Sequence, residues 1–193
     1  MQLFPGVEDF FFFFNNYALS KGIKIEHYII SSGLRDILKG TSIYKKFEMV
    51  FASAYMYDAN NVAEWPALAI DYTSKTQYLF RINKGIMNSW DNEKINKFMN
   101  EDERPIPFDR MIYLGDGETD IPAMKMIRHQ GGKAIAVYNP DTKSKAGQKA
   151  KQITLKLIEQ KRANYVAAAD YTEKSNLFKI IQLCIDEIAE KTE

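Results

Sequence analysis

The chain is poor in the residues that build covalent cross-links and soft-metal sites. Of its 193 residues one is cysteine, Cys184, and two are histidine, His27 and His129. A single cysteine excludes an internal disulfide and a cysteine-based zinc centre, and two histidines argue against a histidine-rich metal site. An excess of one charge sign is also missing, since 26 basic residues face 25 acidic ones and the formal net charge is +1. A nucleic-acid partner held by bulk electrostatics needs a basic face, so none is expected. Long apolar runs are absent too. The run at residues 10–14 is too short to span a bilayer, and no basic region precedes it as in a secretory signal. There is no internal repeat and no low-complexity linker. These absences predict one domain over residues 1–193, in a reducing, cytoplasmic setting and without a membrane partner.

What is present is hydrophobic content, 46% of the chain, enough for a sizeable core. Residues 8–21 carry apolar side chains at helical spacing, with Gly22 as the stop. Their five phenylalanines exceed one helix face and predict packing on two sides. Tyr28-Ile29-Ile30 reads as a strand ending in Ser31-Ser32-Gly33, with Ser32 capping a helix over residues 34–39. Residues 47–57 and 62–70 predict a β-hairpin turning at Asp58-Ala59-Asn60-Asn61. Thr73 or Ser74 is expected to cap a helix over residues 75–83 that Gly85 ends. A proline-containing loop at 100–109 leads into a strand at 111–114. A helix (123–130), a strand (133–137), a lysine-rich helix (144–161), a short strand near Tyr165-Val166 and a final helix (175–189) follow. Strands alternating with helices predict an α/β, Rossmann-like fold with a mostly parallel sheet and right-handed crossovers.

The chemistry concentrates at Met111-Ile112-Tyr113-Leu114-Gly115-Asp116-Gly117-Glu118-Thr119-Asp120-Ile121-Pro122. An apolar strand gives way to two carboxylates four residues apart, then to a proline suited to a first helical turn. Such a turn presents its acids at the carboxyl edge of the sheet, where open α/β folds bind ligands. Ser31-Ser32-Gly33 and Ser74-Lys75 end on the same kind of turn. A serine hydroxyl and backbone N–H groups at a helix start hold phosphate oxygens, and a lysine neutralises their charge. A strand-end aspartate is the hard oxygen ligand that Mg²⁺ prefers, and a second acid can orient the lysine or a bound water. Plainer readings stand beside these: Ser31 and Ser32 as a cap and turn, Lys75 as a solvated first-turn residue. His27 and His129 read as surface residues, Cys184 as a buried helix position. Lys143, Lys145, Lys149 and Lys151 read as a solvated helix face.

In this order the three motifs resemble the haloacid dehalogenase-like (HAD) hydrolases, in particular the phosphoserine phosphatase-like branch. The likeness runs through nearly the whole chain, from Phe4-Pro5-Gly6 onward. It implies a Mg²⁺-dependent phosphomonoester phosphatase acting on a small phosphorylated metabolite. Ser31 would bind the phosphoryl group with Ser32, Gly33 and Gly117 around it. Lys75 would stabilise nucleophile and phosphate, with Lys84 as its rival. Asp116 would ligate Mg²⁺, and Asp120 would support both metal and lysine. Thr119 stands where the family often has asparagine.

One part of that pattern is missing. The family's nucleophile is the first aspartate of an Asp-x-Asp motif on an earlier, central strand, and nothing upstream of Ser31 fits it. Glu8 and Asp9 fall in a predicted helix, and Asp71 comes too late. Without that acid no aspartyl-phosphate forms, Mg²⁺ affinity falls, and the chain reads as an inactive or truncated phosphatase core. The alternative is a non-catalytic pseudo-phosphatase that binds phosphate or a partner. Loss of the central strand would also leave two strand edges unpaired, to be closed on each other, filled by another segment, or complemented by a second chain in a homo-oligomer.

Overall fold

Helix α1 (Val7–Ser20) starts on Gly6 and ends before Gly22, both in the left-handed backbone region. Its phenylalanines do pack on two sides. Phe13 and Phe14 lie against Phe178, Phe11 lies edge-on to Phe47 and His27, and Phe12 alone points outward at 74% exposure. His27 is therefore half-buried, its ring against this aromatic cluster and its Nε2 paired with Asn15 Oδ1 at an exposed position, where a simple surface residue is expected.

The remaining elements follow in the anticipated α/β alternation: β1 (Tyr28–Leu34), α2 (Arg35–Lys39), β2 (Met49–Tyr57), β3 (Ala63–Leu68), α3 (Lys75–Lys84), α4 (Asn92–Asn96), β4 (Ile112–Gly115), α5 (Ile121–His129), β5 (Lys133–Tyr138), α6 (Lys145–Glu159), β6 (Tyr165–Ala168) and α7 (Asn176–Glu190). The structure is a computed structural model that describes residues 3–141 and 143–191. Ser144 and Ser175 cap α6 and α7, accepting from the N–H of Gly147 and Phe178. Ser31, Ser32 and Gly33 do not form the expected turn after the strand: β1 runs through them to Leu34 with an irregular register. Among the described residues Ser32 caps nothing, since α2 begins after Leu34 without a side-chain cap. Helix α4 is not signalled by the spacing. It starts on Asp91, and the buried Arg81 guanidinium holds the approach to it by donating to the carbonyls of Asn88 and Ser89.

The strands form two sheets, where the alternation predicts one mostly parallel sheet. The first has the order β1-β2-β3, with β1 parallel and β3 antiparallel to β2. The second, β4-β5-β6, is wholly parallel. The two strands that carry motifs, β1 and β4, each end a sheet and do not pair with one another. Residues Tyr28, Ile29 and Ile30 of β1 and Ile112, Tyr113 and Leu114 of β4 are accordingly only part-buried, although apolar or aromatic. By contrast Ala134, Ile135 and Ala136 of β5, which has a strand on each side, are 0% exposed. An unpaired edge keeps backbone polar groups accessible to water, and the flanking side chains stay accessible with them.

Three packed clusters cover these sheets. α1 and α7 meet β5 and β6 through Phe14, Phe178, Ile181 and Ile185. Tyr78, Leu79 and Ile82 of α3 pack with Phe51 and Ile127. Met124 and Leu157 bury Ala134 and Ala136. Among the described residues no helix is long and apolar enough to cross a membrane.

Candidate functional site

Lys75 opens α3, and its place on that helix explains its burial. Residues 75, 78, 79 and 82 fall on one helical stripe, and the last three are Tyr78, Leu79 and Ile82 of the core. The stripe carries Lys75 inward to 5% exposure, so it is not the solvated residue of the plainer reading. The helix start is fixed by Asp71. Its Oδ1 accepts from the N–H groups of Thr73 (2.9 Å) and Ser74 (2.7 Å) and from the Thr73 hydroxyl (2.8 Å). Thr73 and Ser74 are thus held by the cap and do not supply it. These hydrogen bonds, the Ser74 N–H foremost, draw the Asp71 carboxyl down to about 2.

Asp120 meets the lysine across 45 residues of sequence. The residue is 4% exposed and its carboxylate is fully engaged: Oδ1 accepts from Lys75 Nζ at 2.7 Å and from the Tyr113 hydroxyl at 2.6 Å. Oδ2 accepts from the N–H groups of Asp116 at 3.2 Å and Gly117 at 3.3 Å. Four donors use the roughly four lone-pair positions of a carboxylate. Burial, with the Asp120 charge behind it, pushes the Tyr113 phenol far up, so it stays a donor. Gly115 makes the arrangement possible, since a Cβ there would lie 2.6 Å from Asp120 Cβ and 2.8 Å from Cγ.

Asp116 differs from Asp120 in every respect. It is exposed, and its carboxylate takes no hydrogen bond or ion pair among the described residues. Ser31, in the middle of β1 where the pairing with β2 becomes irregular, accepts from the Gly33 N–H at 3.0 Å, and its hydroxyl proton has no acceptor among the described residues. Nor does any hydrogen bond among the described residues join the Ser31 or Ser32 side chains to Lys75, Asp116 or Asp120. An indirect link exists through Ser53 on β2, whose hydroxyl donates to the Ser32 carbonyl (3.1 Å) and accepts from the Ile70 N–H (3.0 Å). It ties the serine stretch of β1 to the segment that leads into α3. Lys84 plays a different part, its ammonium donating to the carbonyls of Ile95 and Lys97.

Mg²⁺ finds limited support in these side chains. With the Asp120 oxygens committed, Asp116 is the one free carboxylate of the pair. No group of three or more His, Cys, Asp and Glu residues is arranged for a metal among the described residues. One carboxylate could anchor a largely hydrated Mg²⁺, as this ion tolerates, but does not form a cage. The ammonium of Lys75 is better placed to act. One of its three donors goes to Asp120, and the others have no partner among the described residues.

Four residues of this site do not stand out in the sequence as site residues: Tyr113, Gly115 as a contact, Ser53 and Asp71. Asp71 has a visible signal, the Asp-x-Thr-Ser pattern of a side chain turning back on the backbone. The burial of Lys75 has one too, its place at the head of an apolar stripe. Ser53 and Tyr113 sit within strands and carry none.

No known protein-family profile matches the chain. It is 28% identical over 181 residues to an uncharacterized protein of Borreliella burgdorferi, a match that covers 84% of this chain. The chain spans 59% of that relative's length.

Proposed function

We propose that this chain is the core of a HAD-type, Mg²⁺-dependent phosphomonoester phosphatase site that lacks its nucleophile and does not turn over by itself. The observation that carries the reading is the Lys75 ammonium. It is buried, paired once to Asp120, and left with donors that a phosphate oxygen would accept. A buried cation beside a strand-end carboxylate is an arrangement for a dianionic ligand held with a metal. In this reading Ser31 donates its hydroxyl proton to the phosphoryl group with Ser32 alongside, while Gly33 and Gly117 shape the site without donating, their N–H groups being given to Ser31 Oγ and Asp120 Oδ2. Lys75 neutralises the charge on the oxygens. Asp116 supplies the Mg²⁺ ligand, and Asp120 holds Lys75 and the Asp116 turn in register. Bound Mg²⁺ would supply Lewis-acid charge at the phosphate. A small phosphorylated metabolite is the substrate class, and the missing acid is what forbids an aspartyl-phosphate.

The exposed edges of β1 and β4 favour a second element of this reading. A strand supplied from outside the described residues, by another copy or another chain, would pair with both edges and bring the acid. The rival reading is a pseudo-phosphatase that binds phosphate without chemistry, and the single free carboxylate favours it. Purified chain is tested for Mg²⁺-dependent hydrolysis of p-nitrophenyl phosphate and for thermal stabilisation by phosphate with Mg²⁺. Stabilisation without turnover is expected. Turnover that Asp116→Asn abolishes would remove the inactivity claim, and no response to either ligand would remove the phosphate site itself. Light scattering across a concentration series tests the oligomer.

A further inference from the structure

Tyr113 lies in the middle of the apolar run Ile112-Tyr113-Leu114, where a strand pattern makes it a core residue. Its ring does pack with the clusters around Ile127 and Met124. Its hydroxyl, however, reaches the same Asp120 oxygen as the Lys75 ammonium, at 2.6 Å against 2.7 Å. The two donors come from different halves of the molecule. Tyr113 belongs to β4 of the second sheet, while Lys75 follows β3 of the first. Since β1 and β4 do not pair, this shared oxygen is a polar link where a strand-to-strand ladder is missing.

A carboxylate can turn about its Cβ–Cγ bond, and a lysine has four flexible carbons. The N–H groups of Asp116 and Gly117 hold Oδ2 from one side, at the longer distances of 3.2 and 3.3 Å. The tyrosine hydroxyl is the shortest of the four contacts and is carried on a rigid ring. It occupies one lone-pair direction of Oδ1 and leaves the ammonium the other.

We propose that Tyr113 is a positioning residue of this site: acting through Asp120, its hydroxyl fixes where the Lys75 ammonium stands and which of its donors stay free for an anion. The ammonium geometry does not depend on the phosphate reading; only the identity of the anion rests on it. A tyrosine that merely satisfies its own hydroxyl would affect stability and nothing else.

The experiment has two arms on wild type, Tyr113→Phe, Lys75→Met and the double variant. The first reads the Lys75 side-chain ammonium by ¹⁵N NMR, assigned by its loss in Lys75→Met. A shifted or exchange-broadened signal in Tyr113→Phe is expected, and an unchanged one overturns the proposal. The second titrates inorganic phosphate with Mg²⁺. About a tenfold weaker affinity in Tyr113→Phe is expected, with no further loss when the change is made on Lys75→Met. Equal affinity of wild type and Tyr113→Phe overturns the proposal, as does an equal loss in the lysine-free background. If wild type binds no phosphate, the phosphate reading fails and the NMR arm alone decides on Tyr113. Should Tyr113→Phe not fold, 3-fluorotyrosine incorporation keeps the hydroxyl and alters its donor strength. The Lys75 signal must then move, and an unmoved signal overturns the proposal.

Discussion

The site has two halves of opposite character. In one, Lys75, Tyr113, Gly115 and Asp120 form a largely buried junction in which the carboxylate accepts four hydrogen bonds and Gly115 has no room for a side chain. In the other, Ser31, Ser32 and Gly33 lie in an irregular stretch of β1 and Asp116 follows the end of β4, with a hydroxyl proton and a carboxylate that have no partner among the described residues. The difference separates Asp120, which holds its neighbours, from the groups that stay open, and Lys75 stands between the two, with one donor given to Asp120 and the others unpaired among the described residues. A group whose lone pairs are all engaged inside the protein cannot also ligate, whereas of the unengaged groups Ser31 stands within β1 and Asp116 on a turn that the first half fixes. Asp116 is the case in point: its N–H is bound by Asp120 while its side chain remains free.

The contrast is tested most severely by removing each acid in turn. Asp120→Ala leaves the buried Lys75 ammonium unpaired and is expected to cost about 3–5 kcal/mol in urea unfolding. Asp116→Ala should stay within about 0.5 kcal/mol. Equal losses would erase the distinction between the halves. Lys75→Met is expected to cost less than Asp120→Ala, about 1–3 kcal/mol, because Asp120 keeps three of its four donors. A similar asymmetry applies to the glycines. Gly115→Ala drives its new methyl into Asp120 and should lose about 1–3 kcal/mol, while Gly117, whose nearest neighbour would be Thr119 Oγ1 at 3.7 Å, tolerates alanine with little change.

The smallest effect concerns the turn that delivers Lys75. The Asp71 carboxyl titrates at about 2 in the folded chain, below its unfolded value, because the N–H groups at the α3 start bind its charged form. Its contribution is therefore present above about pH 4 and is lost as pH falls toward about 2. The melting temperature of Asp71→Ala should lie below wild type at about pH 6, and the gap should close by about pH 2. A gap independent of pH would show that the ionised cap does not hold this helix start.

Much of the fold is legible in the sequence because periodicity and turn chemistry are local. The phenylalanine helix, the 58–61 turn, the helices that start at Ser144 and Ser175, and the strand into Gly115-Asp116 all follow from short-range spacing. Ser32 misleads because a serine before a helix resembles a cap whether or not the backbone turns toward it. His27 misleads because its partners, Phe10 and Phe11, come from a different element. Burial by distant aromatic rings leaves no trace in the sequence around the histidine itself.

For the site, the sequence by itself determined the inventory: two carboxylates after an apolar strand, a pair of serines after another apolar run, and a lysine at a helix start. It also determined that no acid on an earlier strand of this chain accompanies them. Only the tertiary structure decided how they divide. Asp120 and Lys75 meet because α3 and β4 are brought together by non-local packing of Tyr78, Leu79 and Ile82 with Ile127 of α5. Among the described residues no hydrogen bond joins the Ser31 hydroxyl or the Asp116 carboxylate to that junction, and β1 and β4, which carry them, are the ends of two separate sheets. Hydrogen-bond pairing between strands is a property of the assembled chain, and no local spacing encodes which edge will be left open.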